Sequence, residues 1–184
     1  PAMALKSTIF KAELAIADMD RHYYRDHALT LARHPSETDE RLMVRLLAFA
    51  LLADERLEFG KGLSDVDEPD LWRRDLTGAI EEWVEVGLPD ERRIVRAAGR
   101  AGRVVVLAYG GHTAKLWWKG VEGKLARLGN LTVLNLPVEA ARGLAALVQR
   151  SMRLQAAIQE GHVLVTSEHG SVSIQPEVWR RVAD

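Results

Sequence analysis

Between Ser7 and Asp18, Phe10, Ala12, Leu14 and Ile16 are set against Ile9, Lys11 and Glu13. That alternation, an imperfect period of two, predicts a long strand. Asp18-Met19-Asp20 reads as a turn. Tyr23 to Arg33 alternates again, with His27, Leu29 and Leu31 against Ala28, Thr30 and Ala32, and supplies the hairpin partner. His34-Pro35-Ser36 closes the strand. Ser36 suits a helix N-cap, Asp39 sits at the N3 position of a capping box, and the first turn is acidic. Leu42, Met43, Leu46, Leu47, Phe49, Ala50 and Ala53 then recur at helical spacing, which predicts a helix over about 37–55.

Gly60-Lys61-Gly62 breaks the helical pattern. Pro69 to Asp75 and Ala79 to Val86 read as two strands about a Thr77-Gly78 turn. Pro89-Asp90-Glu91 opens a helix to about Ala101, with proline at its first position. Val104 to Ala108 is a continuous apolar run, hence a buried strand. Thr113 to Leu125 is helical, with interruptions expected at Gly120 and Gly123. Leu131 to Leu136 is a second buried strand, and Pro137 to Gln149 a helix. Met152–Ile158, Val163–Thr166 and Val172–Ile174 have meander spacing, and Val178-Trp179 follows them. Alternating strands and helices in the middle argue for a mixed α/β domain. It has a central mixed sheet flanked by helices, with extra antiparallel strands at both ends. One domain over 3–184 is expected, with Pro1 and Ala2 a cloning remnant before Met3.

Charge narrows the function classes. Twenty-five Lys and Arg against 26 Asp and Glu give a net charge of −1. A protein basic over its whole surface is excluded, although a local basic stripe is not. The absence of cysteine removes disulfides, thiolate catalysis and zinc ribbons together. No apolar run reaches membrane-spanning length and no apolar leader is visible, so a cytoplasmic protein without a membrane partner is expected.

The candidate chemistry lies in the middle hairpin. A strand that turns near Gly78 returns Glu85 to the level of Asp70, setting two carboxylates side by side. Glu81, Trp83 and Glu85 fall on one face of the second strand. Paired carboxylates raise one another's pKa and attract a hard divalent cation, Mg2+ or Mn2+, which activates water for phosphodiester cleavage.

Pro69-Asp70 followed by Glu85-Val86-Gly87 resembles the Pro-Asp…acid-x-Lys pattern of the PD-(D/E)xK nucleases, whose fold is restriction-endonuclease-like. Longer blocks are similar to the YaeQ family. They are Leu29 to Thr38 with Glu40-Arg41-Leu42-Met43, Asp54-Glu55-Arg56-Leu57, Asp67-Glu68-Pro69, Val86 to Ile94 and Leu154-Gln155-Ala156. The resemblance covers nearly the whole chain. It implies the nuclease-like fold, a metal held by Asp70 and Glu85, and a further acid on the preceding helix, Glu40 or Glu37. Where that pattern carries lysine this chain has Gly87. The expected substitute is Lys61, with Arg92, Arg93 or Lys115 as alternatives, although an arginine serves only to hold phosphate. Two functions stay open: a metal-dependent nuclease, and a catalytically degenerate binding or regulatory module with a nucleic-acid or protein partner.

Arg92, Arg96, Arg100 and Arg103 share one helical face and, with Arg93 and Lys115, form a candidate nucleic-acid contact. Adjacent Trp117 and Trp118 cannot both face a core fully, so one is expected to be a contact surface. Glu81 and Glu82 read as exposed strand positions, and Asp90 and Glu91 as structural acids of a helix start. His34 reads as a loop histidine. His112 and His162 lack partners at ligand spacing, and no nucleotide-binding loop is signalled.

Overall fold

The structure, a computed structural model, describes residues 6–182. In chain order its elements are β1 (Thr8–Asp18), β2 (Tyr23–Arg33), α1 (Asp39–Leu52), β3 (Leu57–Phe59), β4 (Leu71–Arg74), β5 (Ile80–Val86), α2 (Glu91–Arg100), β6 (Ala101–Tyr109), α3 (His112–Leu125), β7 (Leu131–Leu136), α4 (Val138–Ala145), β8 (Ser151–Gln159), β9 (His162–Ser167), β10 (Gly170–Ile174) and β11 (Glu177–Arg180). The fold is mixed α/β with two mixed sheets. Contacts divide the chain into two compact units.

The first unit runs through residue 50 and returns with residues 139–175. Its five-stranded sheet has the order β10-β9-β8-β1-β2. The hairpins at the two ends of the chain thus meet: β1 pairs antiparallel with β2 and parallel with β8, Lys11 opposite Ser151 through Asp18 opposite Ile158. Strand alternation sends Phe10, Ala12, Leu14 and Ile16 into the core with Met152, Leu154, Ala156 and Ile158. Helix α1 is buried over every residue from Leu42 to Ala50, as a helix apolar on most sides must be. The one charge in that run, Arg45, donates to Glu37 at 2.9 and 2.7 Å and to the Ala32 carbonyl at 3.0 Å. The cap differs from expectation. Thr38 Oγ1 accepts the Arg41 amide at 3.1 Å, while the Ser36 hydroxyl lies 2.6 Å from His34 Nδ1. Glu37 is needed inside by Arg45, so the helix starts two residues later.

The second unit comprises residues 51–138 and the chain from 176 on. Its six-stranded sheet has the order β11-β7-β6-β5-β4-β3. β5, β6 and β7 are parallel, and the remaining pairs are antiparallel. Helices α2 and α3 cover one face: Ile94, Ala97 and Leu125 pack on Trp83, Val104, Val106, Leu131 and Val133. α2 runs into β6 without an intervening residue, and Ala101 is already extended at φ −119° and ψ 153°. Gly120 and Gly123 do not interrupt α3. β3 is a strand that its short sequence did not announce. Glu82, expected on the surface, is buried at 4% exposure with Arg103 Nε 3.9 Å away, because the sheet buries both faces of β5 from Glu82 to Val86.

Candidate functional site

The hairpin β4–β5 aligns Leu71 with Val84. Continued by one residue, that register places Asp70 opposite Glu85, as the sequence implied. Asp70 is 1% exposed. Its amide donates to the Val84 carbonyl at 3.1 Å, and its Oδ2 accepts the Val86 amide at 2.8 Å. The turn before it is fitted to it. The Gly60 amide donates to the Asp70 carbonyl at 3.0 Å, and the Gly62 amide to the Pro69 carbonyl at 3.1 Å. Gly62 has φ +51°, and a Cβ there would lie 2.6 Å from Asp70 Oδ1. Only glycine meets both demands.

Glu85 lies on the helix-covered face beside Trp83. Its Oε1 accepts the Trp83 indole N–H at 2.8 Å and the Arg93 Nε–H at 2.6 Å. Burial and the negative charge of Asp70 push its carboxyl up to about 7, and Arg93 and the indole oppose them. Burial leads because a carboxylate loses hydration that two donors only partly replace. Near neutral pH this carboxyl is poised between its two forms.

Arg93 is the residue the sequence reading underweighted. Asp90 caps α2 by accepting the Arg93 amide at 2.9 Å. From that first turn the Arg93 side chain spreads all three nitrogens: Nε to Glu85, Nη1 to the Val66 carbonyl at 2.8 Å and Nη2 to the Glu68 carbonyl at 2.9 Å. The guanidinium therefore ties three segments together, the end of β5, the start of α2 and the loop that precedes Asp70. Its signal in the sequence was position. It stands three residues after the capping Asp90 and eight after Glu85.

The other expected site residues have places or partners of their own. Lys61 Nζ lies 3.9 Å from Glu68 Oε2, with its side chain 67% exposed. Gly87 has φ +102°, and nothing lies within 4 Å of the Cβ it lacks. Glu40 lies in the first turn of α1, in the first unit, and Glu37 is committed to Arg41 and Arg45. A hard divalent cation such as Mg2+ takes six oxygens, several of them waters, and one or two carboxylates free to ligate it. Here Glu85 Oε1 already receives two donors, and a guanidinium supplies the positive charge. Among the described residues no group of three or more His, Asp or Glu side chains converges as a metal site would require. As arranged, Glu85 Oε1 is turned to the Trp83 indole and to Arg93, a geometry that suits these donors better than Mg2+ or Mn2+.

Around this centre the helical layer is basic. Arg92, Arg96 and Arg100 are exposed along α2, and Lys115 and Lys119 along α3. Arg96 reaches Asp67 at 3.3 Å on the surface, and Arg100 stands 5.2 Å over the Trp83 ring. Trp117 and Trp118 are both half-buried. Trp117 donates to the Pro89 carbonyl at 2.7 Å, and Trp118 stacks on Trp179 at 6.0 Å. The two rings fasten α3 to its neighbours.

The family model described as YaeQ protein matches residues 3–176. The uncharacterized protein YaeQ of Salmonella typhi is 46% identical over 179 residues, 97% of this chain and 99% of that protein. The one from Escherichia coli K12 is 43% identical over the same length and shares. The crystal structure of the YaeQ protein from Xanthomonas axonopodis pv. citri superposes with a TM-score of 0.92 at 54% identity, covering 95% of this chain and 98% of that one. That from Pseudomonas syringae gives 0.92 at 39%, covering 95% and 97%.

Proposed function

The chain belongs to the YaeQ family, and on that footing we propose that it is a nucleic-acid-binding module on a nuclease-like frame, with its carboxylate pair retained as a structural node. The observation that carries this reading is the division of labour among the arginines of α2. Arg93 turns inward and occupies Glu85 and the adjoining loop. Arg92, Arg96 and Arg100 turn outward on the same helix. An inward guanidinium sets a positive charge against Glu85, and outward guanidiniums present forks suited to backbone phosphates. Lys115 and Lys119 extend the surface onto α3. Recognition of this kind is electrostatic, sequence-tolerant and strongly salt-dependent.

Fluorescence anisotropy with labelled single- and double-stranded oligonucleotides, repeated over a salt series, tests the reading. Binding should weaken linearly in log–log form. The triple variant Arg92→Gln, Arg96→Gln, Arg100→Gln should reduce the magnitude of the slope by about 3, roughly one per lost phosphate contact. The labelled strands should stay intact in magnesium or manganese. Metal-dependent cleavage that disappears in Asp70→Asn would overturn the reading in favour of a nuclease, and affinity unchanged in the triple variant would remove the basic face from it.

A further inference from the structure

The five-stranded sheet of the first unit has one face sunk in the core and one face open. On the open face the strands carry small side chains where solvent-facing strands ordinarily carry β-branched or charged ones. Ala15 and Ala17 on β1 and Ala157 on β8 make a floor. Tyr24 and Leu164 stand at its edges, 58% and 43% exposed. A trough of about 640 Å³ opens over β1, β2, β8 and β9, with Glu13, Asp26, Arg153, Gln155 and Thr166 in its lining.

The register shows what this face is complementary to. β1 and β8 are parallel neighbours, so a line drawn between them along the strands divides the face into two halves. Residues at equal height on the two sides are Glu13 and Arg153, Ala15 and Gln155, and Ala17 and Ala157. One strand further out, Tyr24 stands level with Ala17 and Leu164 with Ala157, while Asp26 stands level with Ala15 and Thr166 with Gln155. A two-fold axis along that line lays each residue over its counterpart in a second copy. The resulting pairs are compatible: acid on base, carboxylate on hydroxyl, methyl on methyl, aromatic ring on leucine, and the Ala15 methyl on the Gln155 side chain.

We infer that the open face of the five-stranded sheet is a self-complementary surface on which two copies of this chain pack sheet to sheet. Glu13 meets Arg153 of the partner subunit, and Tyr24 meets Leu164 of the partner subunit. The strands of the two sheets keep nearly the same direction, offset by about 30° through twist, at the roughly 10 Å separation of a β-sandwich. The alanine floor gives the close approach that larger side chains would prevent. Within one chain the Glu13–Arg153 pair, at 3.2 Å with side chains 69% and 88% exposed, adds little to stability. Covered by a second sheet and doubled by symmetry, the same charges fix the register of the two copies. Four strands over the eight paired residues of β1 and β8 project to about 500 Å² per copy, about 1,000 Å² in total, the lower limit of a specific interface.

Sedimentation velocity of the full chain reads the oligomeric state directly, and a dimer is expected. Ala157→Glu, which puts a charge and bulk into the floor, should yield a monomer with unchanged circular dichroism. Glu13→Arg or Arg153→Glu should weaken dimerisation about tenfold, the equivalent of 1.4 kcal/mol, and their combination should restore it. The chain has no cysteine, so register can be read by cross-linking. Chains with Tyr24→Cys mixed with chains carrying Leu164→Cys should form a mixed disulfide dimer on mild oxidation, and neither should do so alone. A monomer at all concentrations, a dimer indifferent to Ala157→Glu, or no disulfide from the mixed chains would overturn the inference.

Discussion

Arg93 Nε sits 2.6 Å from Glu85 Oε1, on a carboxyl that burial and Asp70 hold near a pKa of about 7. The arginine favours the charged form of Glu85, yet desolvation outweighs it. This relation between a half-buried guanidinium and a poised carboxyl sets the first two predictions.

Folding stability should fall as pH rises from about 4.5 to about 7. The folded state keeps the Glu85 proton over that interval while the unfolded chain, with its carboxyl at 4.5, has released it. The full penalty applies above neutrality, and it is of the order of 3 kcal/mol. Glu85→Gln keeps an oxygen acceptor and should flatten this part of the profile, leaving the variant at least as stable as the natural chain at pH 8. Urea unfolding at pH 5, 6, 7 and 8 measures it. Parallel profiles for the two chains would refute the assignment.

Removing Arg93 acts in two places. Arg93→Ala gives up the bonds to Glu85, Val66 and Glu68, with an expected cost of about 3 kcal/mol. Arg93 also holds the Glu85 carboxyl down, so its loss should carry that carboxyl further above neutrality. Limited proteolysis should find the loop between Gly60 and Asp70 newly cleavable, and a carbon-13 titration of the Glu85 carboxyl reads the second effect.

Lysine at position 87 restores the letter of the nuclease pattern and should not restore its chemistry. The backbone there has φ +102° with open space around the missing Cβ. Gly87→Lys and Gly87→Ala should therefore lose the same stability, about 1–2 kcal/mol, from the backbone alone. Thermal unfolding of both, with an oligonucleotide cleavage assay on the lysine variant, checks the pair of statements.

Glu37 belongs to the fold of the first unit. Its carboxylate receives Arg41 at 2.7 Å and Arg45 at 2.9 and 2.7 Å, the latter as a bidentate fork 5% exposed. Glu37→Leu should cost about 3 kcal/mol by stripping a buried charge of its partner. Oligonucleotide affinity of the surviving folded protein should stay unchanged, which separates structure from function at this residue.

The elements were largely legible in the chain because their periods were clean. β1, β2, α1, β6 and β7 follow from the spacing of Phe10 to Ile16, Leu29 to Leu31, Leu42 to Ala50, Val104 to Ala108 and Leu131 to Leu136. The level placement of Asp70 and Glu85 followed from the turn at Gly78 alone. Two things were not legible. That β1 and β8 are neighbours depends on side-chain fit across nearly the whole chain, and no local pattern encodes it. That Arg93 turns inward while Arg92 and Arg96 turn outward depends on where helix α2 begins, set by the Asp90 cap. A shift of one residue would have exchanged their places. The glycines at 60 and 62 looked like punctuation, and their role as clearance, Gly60 for the Pro69 carbonyl and Gly62 for the Asp70 carboxylate, emerged only with the turn in three dimensions.

The β1–β8 pairing imposes an order on synthesis. Lys11 must wait for Ser151, so the first hairpin, complete at Arg33, leaves the ribosome with one long edge unpaired while residues 34–150 are made. The second unit's parallel core is complete by Leu136, before β8 emerges. That core is therefore free to fold before the five-stranded sheet closes, with β11 added to it afterwards. A nascent chain halted between α4 and β8 would carry an exposed β1 edge and would call on chaperones at that stage more than at any other.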